Sequence, residues 1–309
     1  MAVDLTPSFE VIDPRFRQLA FPNVHVAKLH TGGRRAEGPT WFAAGRYLGW
    51  SDIPNDRMLR DETDGSVSVF RQPAMSTNAH TVDPQGRLVS CEHRGRCVWR
   101  TEHDSRRTVL ASQIEGKRLN SPNDVVVKSD GSIWSTNSSY GIDSDYEGDA
   151  APARSAIAGS TALRRTAARS SRWPTTSCSR TAWRSRPTRA CSTSPTPAPR
   201  TASTAPATSG ASACEPMAAA SLAGKFLPTA LQCSSTAFAL TPEAICGRAP
   251  ATACVATRPK VRLGKIRVPE TVANVCFGGP KLNWLFVCAT TSLYSVYLNA
   301  HAAARPGVG

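Results

Sequence analysis

Residues 1–150 repeat one short pattern: a turn glycine, a polar residue and then a short apolar strand. The pattern starts at Gly45 (GRYLGWSD), Gly86 (GRLVSCEH) and Gly131 (GSIWSTNS), at intervals of 41 and 45 residues. A four-stranded blade of a β-propeller takes about 40–45 residues. The repeat therefore predicts an all-β chain built of consecutive blades. An antiparallel β-sandwich with a turn about every ten residues is the alternative.

The C-terminal residues return to the same strand-rich style. The stretch KLNWLFVCATTSLYSVYL holds two apolar, β-branched runs, Trp284–Ala289 and Ser292–Leu298. Propellers avoid an exposed edge by pairing strands from both ends of the chain. We therefore expect residues 1–150 and 263–309 to form one ring, with residues 151–262 as a separate segment between them.

Residues 151–260 have a different composition from both flanks. They hold fourteen Lys and Arg but two acids, Glu215 and Glu243, and they contain no Asp, Asn, His or Tyr. This stretch carries most of the formal net charge of +14, so the flanks are nearly neutral. A nucleic-acid-binding arm and a disordered linker are two explanations, but only Trp173 and Trp183 lie among the clustered arginines, whereas single-strand binders stack successive bases on a series of aromatic residues. We expect no nucleic-acid partner.

The cysteines and the apolar segments indicate a reducing compartment. Cysteines such as Cys178, Cys191 and Cys214 show neither CxxC spacing nor companion histidines, which argues against a zinc site or a disulfide framework. The first residues lack the basic and apolar regions of a signal peptide, and no stretch reaches the roughly 18 apolar residues of a membrane span. We expect a cytoplasmic protein without a membrane partner.

Several long motifs resemble bacterial gluconolactonases of the SMP-30/gluconolactonase/luciferin-regenerating family. They lie at residues 1–150 and 263–300, and include RRAEGPTWF, YLGWSDIPNDRML, GKRLNSPNDVVVKSDGSIW, YGIDSDYEG and LGKIRVPETVANVCFGG. The resemblance implies a six-bladed β-propeller that hydrolyses a small sugar lactone. It also implies one divalent cation in the central tunnel, Ca²⁺ first, with Mg²⁺, Mn²⁺ or Zn²⁺ as alternatives. It indicates nothing about the oligomeric state.

The same resemblance offers a third explanation for the middle segment, a frameshift. Relatives continue after DYEG with a stretch like ADDFVQPNGLAFSPD. With suitable synonymous codons, residues Trp173–Thr188 give that stretch when the third base of each codon is read with the first two bases of the next. Residues Arg189–Pro199 and Cys246–Cys254 give RLLYIADTGA and WTSAGDGV in the same offset. Three matches in one offset and in family order predict that residues of about 151–262 are out of frame.

The resemblance also assigns the candidate site residues. Glu37 in AEGPTW matches the family's metal-binding glutamate, and Asn123 in SPNDVVV matches its first metal-binding asparagine. Asp124 is either a group that orients this site or a turn acid. His80 in NAHT lies where relatives line the tunnel, which makes it a candidate substrate contact or a structural histidine. Cys91 and His93 alternate on one strand and share a face, so they either form a Cys–His pair or pack in the core.

Two further family residues are missing from the chain as written. The second asparagine belongs to a PNG motif encoded out of frame across Arg180–Thr181, and the aspartate that serves as general base is encoded out of frame around Ser235–Thr236. No catalytic residue is therefore intact. We expect a gluconolactonase-type hydrolase that is inactive as written. The alternatives are a ligand-binding propeller without catalysis and a product that does not fold.

Overall fold

The computed structural model describes residues 7–62, 64–128, 131–153 and 261–302. It also describes strand backbones at 159–163, 170–171, 230–232, 238–240, 245–247 and 253–258. The rest of the segment predicted to be out of frame lies outside the described residues. Within them, the helical structure consists of three short 3-10 turns, at Pro14–Leu19, Ile53–Asn55 and Tyr140–Ile142. The all-β prediction is confirmed.

The strands are numbered in chain order. The first half of the chain holds β1 (Phe9–Val11), β2 (Ala27–Thr31), β3 (Ala36–Phe42), β4 (Tyr47–Asp52), β5 (Arg57–Asp61), β6 (Val67–Arg71), β7 (Thr77–Val82), β8 (Leu88–Glu92), β9 (Cys97–Thr101), β10 (Arg107–Ala111), β11 (Gln113–Ile114), β12 (Lys117–Arg118), β13 (Ser121–Val127) and β14 (Ile133–Ser138). The second half holds β15 (Gly159–Leu163), β16 (Ser170–Ser171), β17 (Ala230–Gln232), β18 (Phe238–Leu240), β19 (Ile245–Gly247), β20 (Ala253–Arg258), β21 (Val261–Arg267), β22 (Val272–Gly278), β23 (Trp284–Ala289) and β24 (Ser292–Tyr297).

These strands form antiparallel sheets with mostly local connections. Strands β3–β6, β7–β10 and β13–β16 form three four-stranded sheets in sequence order. A fourth has the order β2-β24-β23-β22, and a six-stranded sheet runs through β1-β21-β20-β17-β18 with β19 paired to β20. Sheets of four consecutive strands explain the sequence repeat, because each repeat supplies one sheet.

One edge strand from each of four sheets lies beside that of the next sheet. Strand β22 packs beside β3, β3 beside β7, and β7 beside β13. Each of these four strands changes its register with its own partner near its start, which marks a β-bulge or similar irregularity. Bulges turn side chains out of the regular alternation and occur often next to functional sites. The starts of the four strands therefore present side chains to a common central region.

The two ends of the chain meet, as the sequence predicted. Strand β2 pairs with β24, and β1 pairs with β21. The segment of residues 151–262 is not wholly separate as expected, because the backbones of its strands β15 and β20 pair with β14 and β21. The joining of β2 to β24 covers an edge that would otherwise be open to another chain.

Apolar side chains fill the spaces between the sheets. Leu48 and Trp50 of the β3–β6 sheet pack against Phe286 and Leu293 of the sheet that contains β24. A further interface joins residues of β8 and β9 to residues of β13 and β14. The buried apolar side chains thus lie between the faces of the sheets, and polar residues occupy the central edges.

One glycine fixes the approach of β7 to β3. Gly38 has φ +57°, and a Cβ there would meet the carbonyl oxygen of Asn78 and stand 2.5 Å from the Cα of Ala79. We expect Gly38→Ala to lower the free energy of unfolding by at least about 2 kcal/mol, because backbone must move. Gly65→Ala is the matched control: its φ is +81° but open space surrounds it, so about 1 kcal/mol is expected. Denaturant unfolding measures both, and equal losses would contradict the close approach.

Among the described residues, no helix has the length and apolar character needed to cross a membrane.

Candidate functional site

Four polar side chains stand at the starts of the four central strands. Glu37, Asn78, Asn123 and Asn274 lie near the beginnings of β3, β7, β13 and β22. Their exposed fractions are 4%, 2%, 6% and 6%. One carboxylate and three amides are therefore buried at the centre of the fold. The sequence predicted Glu37 and Asn123 as neighbours in one site, and the structure places them on strands separated by β7 alone.

Glu37 lies close to one positively charged side chain, Arg35, and is influenced by one negatively charged side chain, Glu147. Burial raises the pKa of its carboxyl group, the Arg35 guanidinium opposes that rise, and the charge of Glu147 adds to it. Arg35 Nη2 lies 3.4 Å from Glu37 Oε1, and Arg35 Nε lies 3.5 Å from Glu147 Oε1. Arg35 thus stands between two carboxylates and partly neutralises both. A bound divalent cation would favour the ionised form of Glu37 in the same way.

Asn123 has no hydrogen-bonded partner for its side chain among the described residues, although it is more than nine-tenths buried. Its amide atoms are not among the side-chain atoms that are sealed from solvent without a partner, so water or a ligand can reach them. The amide of Asn123 is therefore suited to a ligand.

Asp124, the next residue, faces the centre of the fold. Its carboxylate accepts a hydrogen bond from the Asn274 side chain on β22. Burial raises the pKa of Asp124 to about 7, and the charge of Glu37 adds to the rise. Strands β13 and β22 are separated by β3 and β7, so this hydrogen bond crosses the central region. This geometry favours the orienting role weighed for Asp124 over that of a turn acid, and the role stays a prediction.

His80 lies between two serine hydroxyls. Its Nε2 atom is 2.7 Å from Ser51 Oγ, and its Nδ1 atom is 2.7 Å from Ser90 Oγ. Burial lowers the pKa of His80 to about 3, with a smaller contribution from Arg71, so the ring is neutral. A lactone would have to displace one of these hydroxyls to contact His80, and the predicted substrate contact stays a prediction.

His93 contacts residues from two other parts of the chain. Its Nδ1 atom lies 2.8 Å from the carbonyl oxygen of Glu147, and its Nε2 atom lies 3.1 Å from Nδ2 of Asn78. Cys91 instead donates to the carbonyl oxygen of Asp124 at 3.5 Å. Burial raises the pKa of the Cys91 thiol well above its ordinary range. Cys91 and His93 therefore do not form a catalytic pair.

Neither Asn78 nor Asn274 is among the site residues predicted from the sequence. A signal for Asn78 was present, since Glu37, Asn78 and Asn123 recur at the same 41- and 45-residue intervals as the turn glycines. Asn274 carries no comparable signal, because the repeat is lost between residues 151 and 262. The positions that encode the second family asparagine and the aspartate, Arg180–Thr181 and Ser235–Thr236, lie outside the described residues.

The donor atoms of the site suit a hard cation. No group of three or more His, Cys, Asp or Glu among the described residues is arranged to hold a metal ion. Carboxylate and amide oxygens, however, are the ligands that Ca²⁺ prefers. Glu37 with the unpartnered amide of Asn123 therefore fits a calcium-type site better than a zinc site.

Comparisons with known proteins agree with the resemblance noted in the sequence. Residues 35–170 match the family model described as the SMP-30/Gluconolactonase/LRE-like region. The chain is 29% identical over 128 residues to a gluconolactonase of Zymomonas mobilis. That match covers 37% of this chain and 36% of the relative, so the chain spans about a third of the length of the curated relative it matches.

Two solved structures share the fold. A gluconolactonase from Xanthomonas campestris superposes with a TM-score of 0.67 at 21% identity, over 94% of each chain. A structural-genomics structure of a gluconolactonase candidate superposes with a TM-score of 0.66 at 19% identity, over 96% of this chain and 99% of the other. At these identities the likeness shows the fold.

Proposed function

We propose that this chain, which carries an SMP-30/gluconolactonase/LRE-like region at residues 35–170, derives from a sugar-lactone hydrolase. In this proposal the fold is a six-bladed propeller, and the lactone binds at the central region where β3, β7, β13 and β22 begin. The observation that carries the proposal is the pair Glu37 and Asn123. Both are buried and central, and Asn123 has no partner among the described residues.

Glu37 and Asn123 would hold one divalent cation through a carboxylate oxygen and an amide oxygen. When bound, a divalent cation polarises a carbonyl oxygen and lowers the pKa of a coordinated water. Ca²⁺ is the first candidate, with Mg²⁺, Mn²⁺ or Zn²⁺ as alternatives. Arg35 limits the charge repulsion between Glu37 and Glu147. The hydrogen bond from Asn274 fixes the Asp124 carboxylate in the centre.

The chain as written lacks the groups that would complete this chemistry. The family's second asparagine and its general-base aspartate are encoded out of frame within residues of about 151–262. Water attack on a lactone carbonyl requires a group that removes a proton from the water. We therefore propose that the chain as written has negligible activity. Its expected partner is a small sugar lactone in the cytoplasm, with no nucleic acid and no membrane.

A second candidate is a propeller that binds a ligand without turning it over. The absence of the family's general base from the chain favours this candidate, because binding needs no proton acceptor. Cation binding without lactone hydrolysis, in both the chain as written and a frame-restored chain, would favour it over the hydrolase.

Glu37→Gln tests the metal site directly. We expect this substitution to weaken Ca²⁺ binding by at least about tenfold, since affinity for Ca²⁺ depends on the charge of its ligands. Isothermal titration of the full chain with CaCl₂ measures the change, and Glu115→Gln, an exposed acid in a turn, is the matched control. Equal affinities for the Glu37→Gln and Glu115→Gln variants would place the cation elsewhere.

A further inference from the structure

We propose that Asn78 is a third oxygen ligand of the central cation site, oriented for that role by His93. This inference rests on the proposed function, because it assumes that Glu37 and Asn123 hold a cation. It goes further by naming a residue on β7 that the resemblance to the family does not assign.

The position of Asn78 is equivalent to the positions of Glu37 and Asn123. The three residues recur at intervals of one repeat, and each stands near the start of a central strand. Strand β7 lies between β3 and β13. The backbone carbonyl oxygen of Asn78 lies so near Gly38, the neighbour of Glu37, that a Cβ on Gly38 would collide with it. Asn78 therefore lies between the two residues already assigned to the cation.

Hydrogen bonds determine which end of the Asn78 amide is available. His93 Nδ1 faces the carbonyl oxygen of Glu147 at 2.8 Å, and because a carbonyl oxygen can only accept, Nδ1 carries the proton. In a neutral ring Nε2 is then an acceptor. Nε2 lies 3.1 Å from the Asn78 amide, so the NH₂ group of Asn78 must face His93. The amide oxygen is left as the free end.

That oxygen has no donor within the described part of the chain, while the Asn78 residue is 2% exposed. An amide oxygen that is held in one orientation, on the strand between those of Glu37 and Asn123, is suited to be an oxygen ligand for a hard cation. Asn274 differs from Asn78, because its oxygen accepts from the Val275 backbone at 2.8 Å and its nitrogen donates to Asp124. Asn274 is therefore a positioning residue.

The experiment compares Asn78→Leu with Asn78→Asp in the full chain. Leucine has a similar size and no oxygen, whereas aspartate keeps the oxygen and adds charge. Neither can donate the hydrogen bond to His93 as asparagine does. Isothermal titration with CaCl₂ gives the affinities, and circular dichroism with thermal unfolding reports folding. We expect Asn78→Leu to weaken Ca²⁺ binding by about tenfold. We expect Asn78→Asp to bind Ca²⁺ at least as tightly as the unsubstituted chain as written.

The other outcomes separate this inference from the proposed function. Unchanged affinity in Asn78→Leu, or equal weakening in both variants, would overturn the ligand role of Asn78 and leave Glu37 and Asn123 in place. If Asn78→Leu does not fold, tighter binding by Asn78→Asp supports the inference and weaker binding overturns it. If the unsubstituted chain as written binds no Ca²⁺, both the proposed cation site and this inference are overturned.

Discussion

Restoring the family reading frame over residues 151–262 should raise the rate of gluconolactone hydrolysis by a factor of about a hundred to ten thousand. A positioned general base alone contributes a factor of that order, and the restored segment supplies the aspartate that serves as one. It also supplies a further asparagine for the cation. Ca²⁺ takes about six to eight oxygen ligands, so fewer protein oxygens leave it more weakly held.

The natural control for this comparison is a frame-restored chain in which the new aspartate is replaced by asparagine. We expect this variant to bind Ca²⁺ but to hydrolyse gluconolactone almost as slowly as the chain as written. The measured quantity is the rate of lactone opening above the spontaneous rate. A chain as written that is as active as the restored one would show that the catalytic residues lie in the flanks.

Acidification should destabilise the fold through two buried histidines. Burial lowers the pKa of His80 to about 3 and that of His93 to about 4, from an ordinary value of 6.5. Between these values and 6.5 the unfolded chain binds more protons than the folded chain, so stability falls as the pH drops below about 6.5. At pH 4 each of these histidines lowers the free energy of unfolding by up to about 3 kcal/mol. That is a large share of the total for a typical protein.

A matched pair of variants isolates this effect from the carboxylates. Asp124, whose pKa is raised to about 7, acts in the opposite direction, because acidification removes its buried charge. His80→Gln should lower stability at pH 7.5 but make it less dependent on pH between 6.5 and 4.5. His103→Gln, which removes an exposed histidine, serves as the matched control. Denaturant unfolding at several pH values measures both, and parallel profiles for all three chains would contradict the assignment to His80.

The sequence predicted the parts of the fold that depend on local periodicity. The repeat at Gly45, Gly86 and Gly131 predicted sheets of about 40–45 residues, and three four-stranded sheets begin at Ala36, Thr77 and Ser121. The pairing of the two chain ends followed from the need to cover a sheet edge. Both predictions rest on backbone hydrogen bonding, which neighbouring residues largely determine.

The electrostatic surroundings of the site could not be predicted in this way. Arg35 meets Glu147, and His93 meets the carbonyl oxygen of the same residue, because the loop after β14 returns across the two preceding sheets. These contacts join residues 54 or more positions apart, and the periodic pattern of the sequence does not predict them. The hydrogen bond between Asn274 and Asp124 depends in the same way on the closure of the ring.

The most direct test of the account is gluconolactone hydrolysis by the chain as written and by the frame-restored chain, each with and without a chelator of divalent cations. Rates are corrected for spontaneous opening, and Ca²⁺ is returned after chelation as a control. We predict a fast rate in the restored chain alone, its loss with chelator and its recovery with Ca²⁺. Comparable chelator-sensitive rates from both chains would contradict the placement of the general base in the out-of-frame segment, and a restored chain that ignores the chelator would contradict the cation site at Glu37 and Asn123.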